Sequence, residues 1–289
     1  MTFDTPSDNI SRIKLVILGT DTPSLQPNRY QSSFALIVDD QPYLIDCGSG
    51  SLQRQMDART MGLTAFDYPK LTRLFVTHLH PDHTLGIPAF IISNWVKGRS
   101  ETLRIFGPKG IGKIAHGSLD MFAEGIAEHQ RSGSIPLGDI SLEVVEHKDG
   151  IIYTDERVSV EAFPVDHGGL ETYGLKFVTP DKVVVFSADT IAVPIMAEKA
   201  KECDALVHSV YCQSGLTELP PSWDAYFSTM HTSARALGAI AAEAQPKLLV
   251  FTHQIIYKGV GPDDVFREIR EGGFTGEVAY ANDMDVFEL

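Results

Sequence analysis

The sequence predicts an α/β protein in which two mixed sheets carry helices on their outer faces. Three features of the 289-residue chain lead there. The opening is dense in β-type runs, strands resume in mid-chain after a helical stretch, and the C-terminal part alternates helix with strand.

Taken in order, Ile13 to Leu18 and Ser33 to Val38 are apolar, β-branched runs, and Tyr43-Leu44-Ile45 ends at the turn residues Asp46-Cys47-Gly48. Leu71 to Val76 is a short strand. The apolar segment Thr84 to Ile92 starts a helix, with Pro88 tolerated in a first turn or as a kink. Leu103 to Phe106 is a strand stopped by Gly107-Pro108, and Ile111 to Glu128 reads as mostly helical. Strands follow at Ile140 to Val145, Val158 to Phe163, Gly174 to Val178 and Val183 to Phe186. Then come helix Val193 to Ala200, strand Ala205 to Val207, helix Ala234 to Ala244, strand Leu248 to Phe251, helix Asp263 to Glu271 and strand Val278 to Tyr280. Gln213 to Met230, with Pro220-Pro221, Trp223, Tyr226 and Phe227, reads as an aromatic loop. It lines a substrate pocket or packs on the outer sheet or a dimer face. One domain, 1–289, with approximate halves 10–150 and 151–289, is the expected organisation.

Composition is that of an ordinary globular protein, 43% hydrophobic and 21% charged, with no segment biased enough to be a disordered tail. The formal net charge is −14 and the lysines and arginines are scattered, which argues against a polyanion partner. The N-terminus lacks a basic-then-apolar leader pattern and no apolar run approaches a membrane span, so a cytoplasmic protein without membrane association is expected. Three cysteines, Cys47, Cys203 and Cys212, form no Cys-x-x-Cys and suit a reducing compartment.

The chemistry concentrates in Thr77-His78-Leu79-His80-Pro81-Asp82-His83. His78 and His80 alternate, so an extended backbone aims both the same way, while Pro81 turns the chain before Asp82 and His83. A single loop could thus serve two metal ions. Three further groups stand at strand ends, where they can reach a common centre: His167, Asp189 and His253. Imidazole with a little carboxylate suits zinc and leaves room for water, although manganese or iron can use similar ligands.

The pattern His-x-His-x-Asp-His with a later His, Asp and His resembles the metallo-β-lactamase superfamily. Leu18-Gly19-Thr20, Ile45-Asp46-Cys47-Gly48, Ser187-Ala188-Asp189-Thr190 and Phe251-Thr252-His253 extend the resemblance over nearly the whole chain. Phe106-Gly107-Pro108 and His231-Thr232-Ser233-Ala234 point to its ribonuclease Z and arylsulfatase-like branch. The resemblance implies a four-layer αββα sandwich and two metal ions, zinc by preference. It places His78, His80 and His167 on the first ion and Asp82, His83 and His253 on the second, with Asp189 bridging. Asp46 would support the ligands by hydrogen bonding.

Such a centre generates hydroxide at neutral pH and polarises the scissile group. His231, just before a helix start that disfavours imidazolium, is the expected general acid or substrate oxyanion contact. His208, Trp223 and Tyr226 are further candidates for supporting the site or touching substrate. Two departures shape the expected substrate. Ser209 replaces the glutamate of a His-Glu pair, and positions 167 and 189, only 22 apart, leave no room for a long basic transfer-RNA arm. Asp21 also stands where the family often has glycine. The expectation is therefore a hydrolase of a small phosphodiester, aryl sulfate, carboxylic ester or lactone, working as a homodimer on a small-molecule substrate. The alternatives are a ribonuclease Z-like transfer-RNA 3′ endonuclease and, in another class, a non-hydrolytic metal-binding or diiron redox protein.

Overall fold

The computed structural model describes residues 12–132, 137–218, 220–257 and 259–289. The first sheet is formed by β1 (Ile13–Gly19), β2 (Ser33–Val38), β3 (Gln41–Ile45), β4 (Arg73–Phe75), β5 (Leu103–Gly107) and β6 (Leu142–Glu146). The second takes β7 (Gly150–Thr154), β8 (Ser159–His167), β9 (Leu170–Val178), β10 (Val183–Phe186), β11 (Ala205–Tyr211), β12 (Leu248–Ile255) and β13 (Glu277–Tyr280). β14 (Val286–Glu288) then returns to pair with β1, so the halves expected on either side of residue 150 are interlocked by the last strand. Each sheet is mixed. β3 to β6 run parallel and β14, β1, β2 and β3 antiparallel; β10 to β13 run parallel and β7 to β10 antiparallel.

Strand alternation sorts the apolar side chains into layers. Leu15, Ile17, Phe75 and Phe106 face inward and meet Phe177, Phe186 and Val207 of the second sheet. Val16, Leu18 and Leu74 face outward onto Ile87, Phe90 and Ile91 of α3 (Ile87–Val96) and Ile111 of α4 (Ile111–Met121). On the far side Leu206, Leu249 and Phe251 pack on α6 (Pro194–Lys199), α8 (Ala234–Ala244) and α9 (Pro262–Glu271). The result is the expected αββα sandwich.

Local structure departs from expectation in four places. The single helix expected over Ile111 to Glu128 is two, α4 and α5 (Ala123–Ser132), divided at Phe122; α5 buries none of its residues, so no apolar stripe holds it in line with α4. The segment expected to be an aromatic loop contains a 3-10 turn, Gln213–Glu218, and a helix, α7 (Pro221–Met230). Pro221 occupies the first helical position, where a missing N–H costs nothing. Helix α1 (Ser51–Thr60) escapes notice because it buries only Ser51, Gln55 and Ala58. β7 and β14 are short strands that had not been expected. All three cysteines are free and buried, and among the described residues no helix is long and apolar enough to cross a membrane.

Candidate metal centre

β4 ends at Phe75, and the chain leaves the sheet as the histidine-rich run. His80 then precedes the single helical turn α2 (Pro81–Thr84), which turns Asp82 and His83 back towards the sheet. Two glycines permit this fold-back. A Cβ on Gly48 would lie 2.3 Å from the Asp82 carbonyl oxygen, and one on Gly86 2.4 Å from that of Gly48. The remaining candidate ligands come from the second sheet. His167 closes β8 and Asp189 follows β10 after Ala188, whose φ is +59°. His253 is the extra residue of a bulge: Ser209 pairs with Thr252 and Val210 with Gln254, leaving His253 unpaired at φ +46°. Together with Asp46 at φ +54°, these are left-handed non-glycine residues gathered at one place, the kind of strain a functional site retains.

The side chains form linked clusters, each with ligand atoms within 4.8 Å of one another: His78, His80 and His167; His78, His83 and Asp189; Asp82, His83 and His253; His167, Asp189 and His231. His80 Nδ1 lies 3.2 Å from His78 Nε2 and 3.1 Å from His167 Nε2. Asp189 Oδ2 is 3.3 Å from His253 Nε2, 3.6 Å from His83 Nε2 and 3.9 Å from His167 Nε2, so it belongs to both halves of the constellation. Asp82 Oδ2 completes the second group, 3.1 Å from His253 Nε2 and 3.6 Å from His83 Nε2.

Hydrogen bonds fix which nitrogen each ring offers. His83 Nδ1 donates to Asp46 Oδ2 at 2.8 Å, and His167 Nδ1 donates to the Met230 carbonyl at 2.6 Å. His78 Nδ1 donates to Thr77 Oγ1 at 3.0 Å, and that hydroxyl passes its own hydrogen to Asp46. All three rings thereby turn Nε2 to the centre. These donors fit divalent metal. His83 Nε2 and Asp82 Oδ1 are buried without a hydrogen-bond partner, a costly condition that a cation relieves. The imidazole separations approach the ligand edge of about 3.3 Å in a tetrahedral zinc site.

Electrostatics agree. Burial pushes His78 well below its ordinary range and also lowers His80, so both rings are neutral donors at pH 7. Burial would lower His83 and His253 as well, but Asp46 and Asp189 around the first, and Asp189 and Asp82 around the second, outweigh it and raise both. Against burial, His253 and His83 hold Asp189 well below the usual carboxylate range. Asp82 is lowered as well, so Asp189 and Asp82 are ionised, and the excess affinity for positive charge is centred where His83 and His253 face Asp189. Asp46, 2% exposed and bonded to Thr77 and His83, orients two rings at once. Asp46→Ala is expected to weaken metal affinity about 10- to 100-fold, measured by chelator competition.

His231 lines the cavity beside these groups, with Nδ1 4.0 Å from Asp189 Oδ2. Burial lowers its pKa to about 3, so it acts as a neutral N–H group. Trp223 and Tyr226 also line this cavity. His208 does not: it alternates with Val207 and Ser209 on β11 and lies on the same face as Leu206 and Val210, which pack in the outer core, and its Nδ1 donates to the Ser209 carbonyl at 2.6 Å. Burial takes its pKa down to about 4, which fits a neutral core histidine. Trp95 is buried and donates to the Gly138 carbonyl. Sequence reasoning passed over Thr22 to Ser24, Ile255 and Tyr257, which complete the cavity wall. Tyr257, four positions beyond His253, was the visible signal.

The fold and these clusters define a metal-dependent hydrolase of ester bonds on the metallo-β-lactamase scaffold. A family model described as a beta-lactamase superfamily domain matches residues 42–254, and the chain belongs to that family. The curated relatives it is similar to include ribonuclease Z proteins. Ribonuclease Z of Mycobacterium marinum (strain ATCC BAA-535 / M) is 29% identical over 285 residues, covering 96% of this chain and 99% of the relative. Ribonuclease Z of Mycobacterium avium (strain 104) is 29% identical over 280 residues, covering 94% and 96%. Among solved structures, the short form of human tRNase Z superposes with a TM-score of 0.70 at 19% identity, covering 95% of this chain and 98% of that one. The metallo-beta-lactamase fold protein YhfI from Bacillus subtilis gives 0.71 at 19%, again over 95% and 98%.

These relatives overturn the expectation that nucleic acid is not a partner and that the substrate is a small molecule. The physical reason is that net charge governs long-range attraction, whereas a nuclease holds and cuts its substrate through local contacts. The −14 of the whole chain says nothing of the field inside a metal cavity.

Proposed function

We propose that this chain is a dinuclear zinc phosphodiesterase that trims RNA at transfer-RNA 3′ ends. The observation that carries the mechanism is the position of Asp189 Oδ2 between two groups of imidazoles, a carboxylate shared by both. The choice of RNA is supported by the ribonuclease Z relatives, which align over 94–96% of the chain. His78, His80 and His167 would hold one ion, Asp82, His83 and His253 the other, and Asp189 both. When bound, the pair supplies hydroxide at neutral pH and a positive field for the scissile phosphate.

The chain's own residues do the rest. Asp46 and the Met230 carbonyl lock ring orientation, so the donors need no rearrangement when substrate arrives. His231, neutral and aimed into the cavity, donates an N–H to a phosphate oxygen as charge develops there. Next to the cavity, the loop after β1 continues from Thr22 to Ser24 into a groove lined by Arg29 and Arg54; Arg54 is held by Asp57 and Asp283, which leaves Arg29 as the local cation for an RNA phosphate.

Zinc-loaded protein should cut a 3′-extended transfer RNA once, near the end of the acceptor stem. Chelation should abolish the cut and added zinc restore it. Protein that carries two ions per chain yet leaves the transcript intact would overturn the reading.

A further inference from the structure

One wall of the metal cavity is aromatic and faces water. α7 presents Trp223 and Tyr226, 43% and 49% exposed, in a cavity of about 170 Å³ that also contains His80, Asp82 and His231. The two rings meet edge to face at 6.1 Å. They are held from behind: Phe227, 4% exposed, stacks on Trp223 at 5.7 Å and 24°, and Tyr257 meets Trp223 edge-on at 6.4 Å. The aromatic run continues inward. Phe227 lies 6.0 Å from His231, and His231 stacks on His253 at 5.6 Å and 24°. Among the described residues no lysine or arginine lines this cavity. Whatever binds there, away from the ions, is held by ring faces and not by charge.

We propose that Trp223 and Tyr226 form a stacking platform for one unpaired nucleobase next to the scissile phosphate. The inference rests on the RNA reading above and adds the element that recognises the nucleotide. A base is flat, and every base has a π-face, so a rigid aromatic wall takes any of them. The cavity runs without a break from this wall to the metal ligands, so a base on Trp223 and its neighbouring phosphate at the ions belong to one nucleotide step. A base inside a helix is already stacked on both sides, and only an unpaired one can be offered to a side chain. The platform therefore selects single-stranded ends by geometry. Thr22 to Ser24 form another part of the cavity wall.

The chain has two tryptophans, and Trp95 is buried outside the cavity, so quenching of exposed indole emission reports on Trp223. Adenosine 5′-monophosphate added to the metal-loaded protein should quench that emission, and ribose 5-phosphate at equal concentration should not. Equal responses to the two would overturn the proposal. Kinetics on a 3′-extended transfer RNA gives the second arm. Trp223→Ala should raise KM about 5- to 100-fold while kcat stays within about threefold, and Trp223→Phe should recover most of the loss. An unchanged KM in Trp223→Ala, with cleavage intact, would overturn the platform and leave the RNA reading standing. If the wild-type protein does not cut the transcript, the RNA reading falls, and the nucleotide-against-ribose quenching still decides the platform.

Discussion

Asp189→Ala is expected to strip the chain of bound metal and to slow ester hydrolysis at least about a thousandfold, about 4 kcal/mol of barrier. Asp189 is buried and faces His253, His83 and His167 within 3.9 Å. Without it the imidazoles remain but the anion they share is gone, and two like-charged ions would sit close together with less to separate them. The loss is therefore expected at both positions together, which elemental analysis per chain reads directly. A variant that keeps two ions and activity within tenfold of wild type would sink the assignment of a bridging role.

The second large effect concerns the core under the site. Phe75→Ala should destabilise the fold by about 3–5 kcal/mol, the range for emptying a well-packed aromatic position. The Phe75 ring is fully buried. It stacks on Phe106 at 4.9 Å and 11°, and meets Tyr153 at 5.6 Å and Phe177 at 5.4 Å edge-on. Its neighbours come from both sheets, so no single segment can relax into the space. At about 2–4 °C per kcal/mol, the thermal midpoint should fall by roughly 6–20 °C. The site should feel it too, since the Phe75 carbonyl accepts the Asp46 N–H at 2.8 Å. A midpoint within about 2 °C of wild type would show that the core repacks far more freely than this geometry allows.

The sequence displayed the layers of the fold because strand alternation and helix punctuation are local signals. It also displayed the ligand-rich loop, where four candidate donors lie within six residues. What it could not display was convergence over distance. His80 meets His167 across 87 positions, and Asp82 meets His253 across 171. Family resemblance supplied that pairing where periodicity had nothing to say. The misses have equally physical causes. Helix α1 buries Ser51, Gln55 and Ala58 instead of an apolar stripe, and the Pro220-Pro221 pair disguised the start of α7 as a loop. His208 looked like a site residue because Val207-His208-Ser209 resembles the ribonuclease Z stretch that carries His-Glu, yet the pleat turns it outward. Charge misled most: a chain-wide sum was read as a statement about one cavity.

The origin of the donors has a consequence of its own. His78, His80, Asp82 and His83 follow a strand of the first sheet, whereas His167, Asp189 and His253 come from the second. Ions held between them would act as rivets through the seam of the sandwich. Free ion at a hundred times its dissociation constant adds about 2.7 kcal/mol to the folded state. A cell starved of metal would then lose more than turnover: unloaded copies would open at the seam more often, meet proteases sooner, and be present in smaller number.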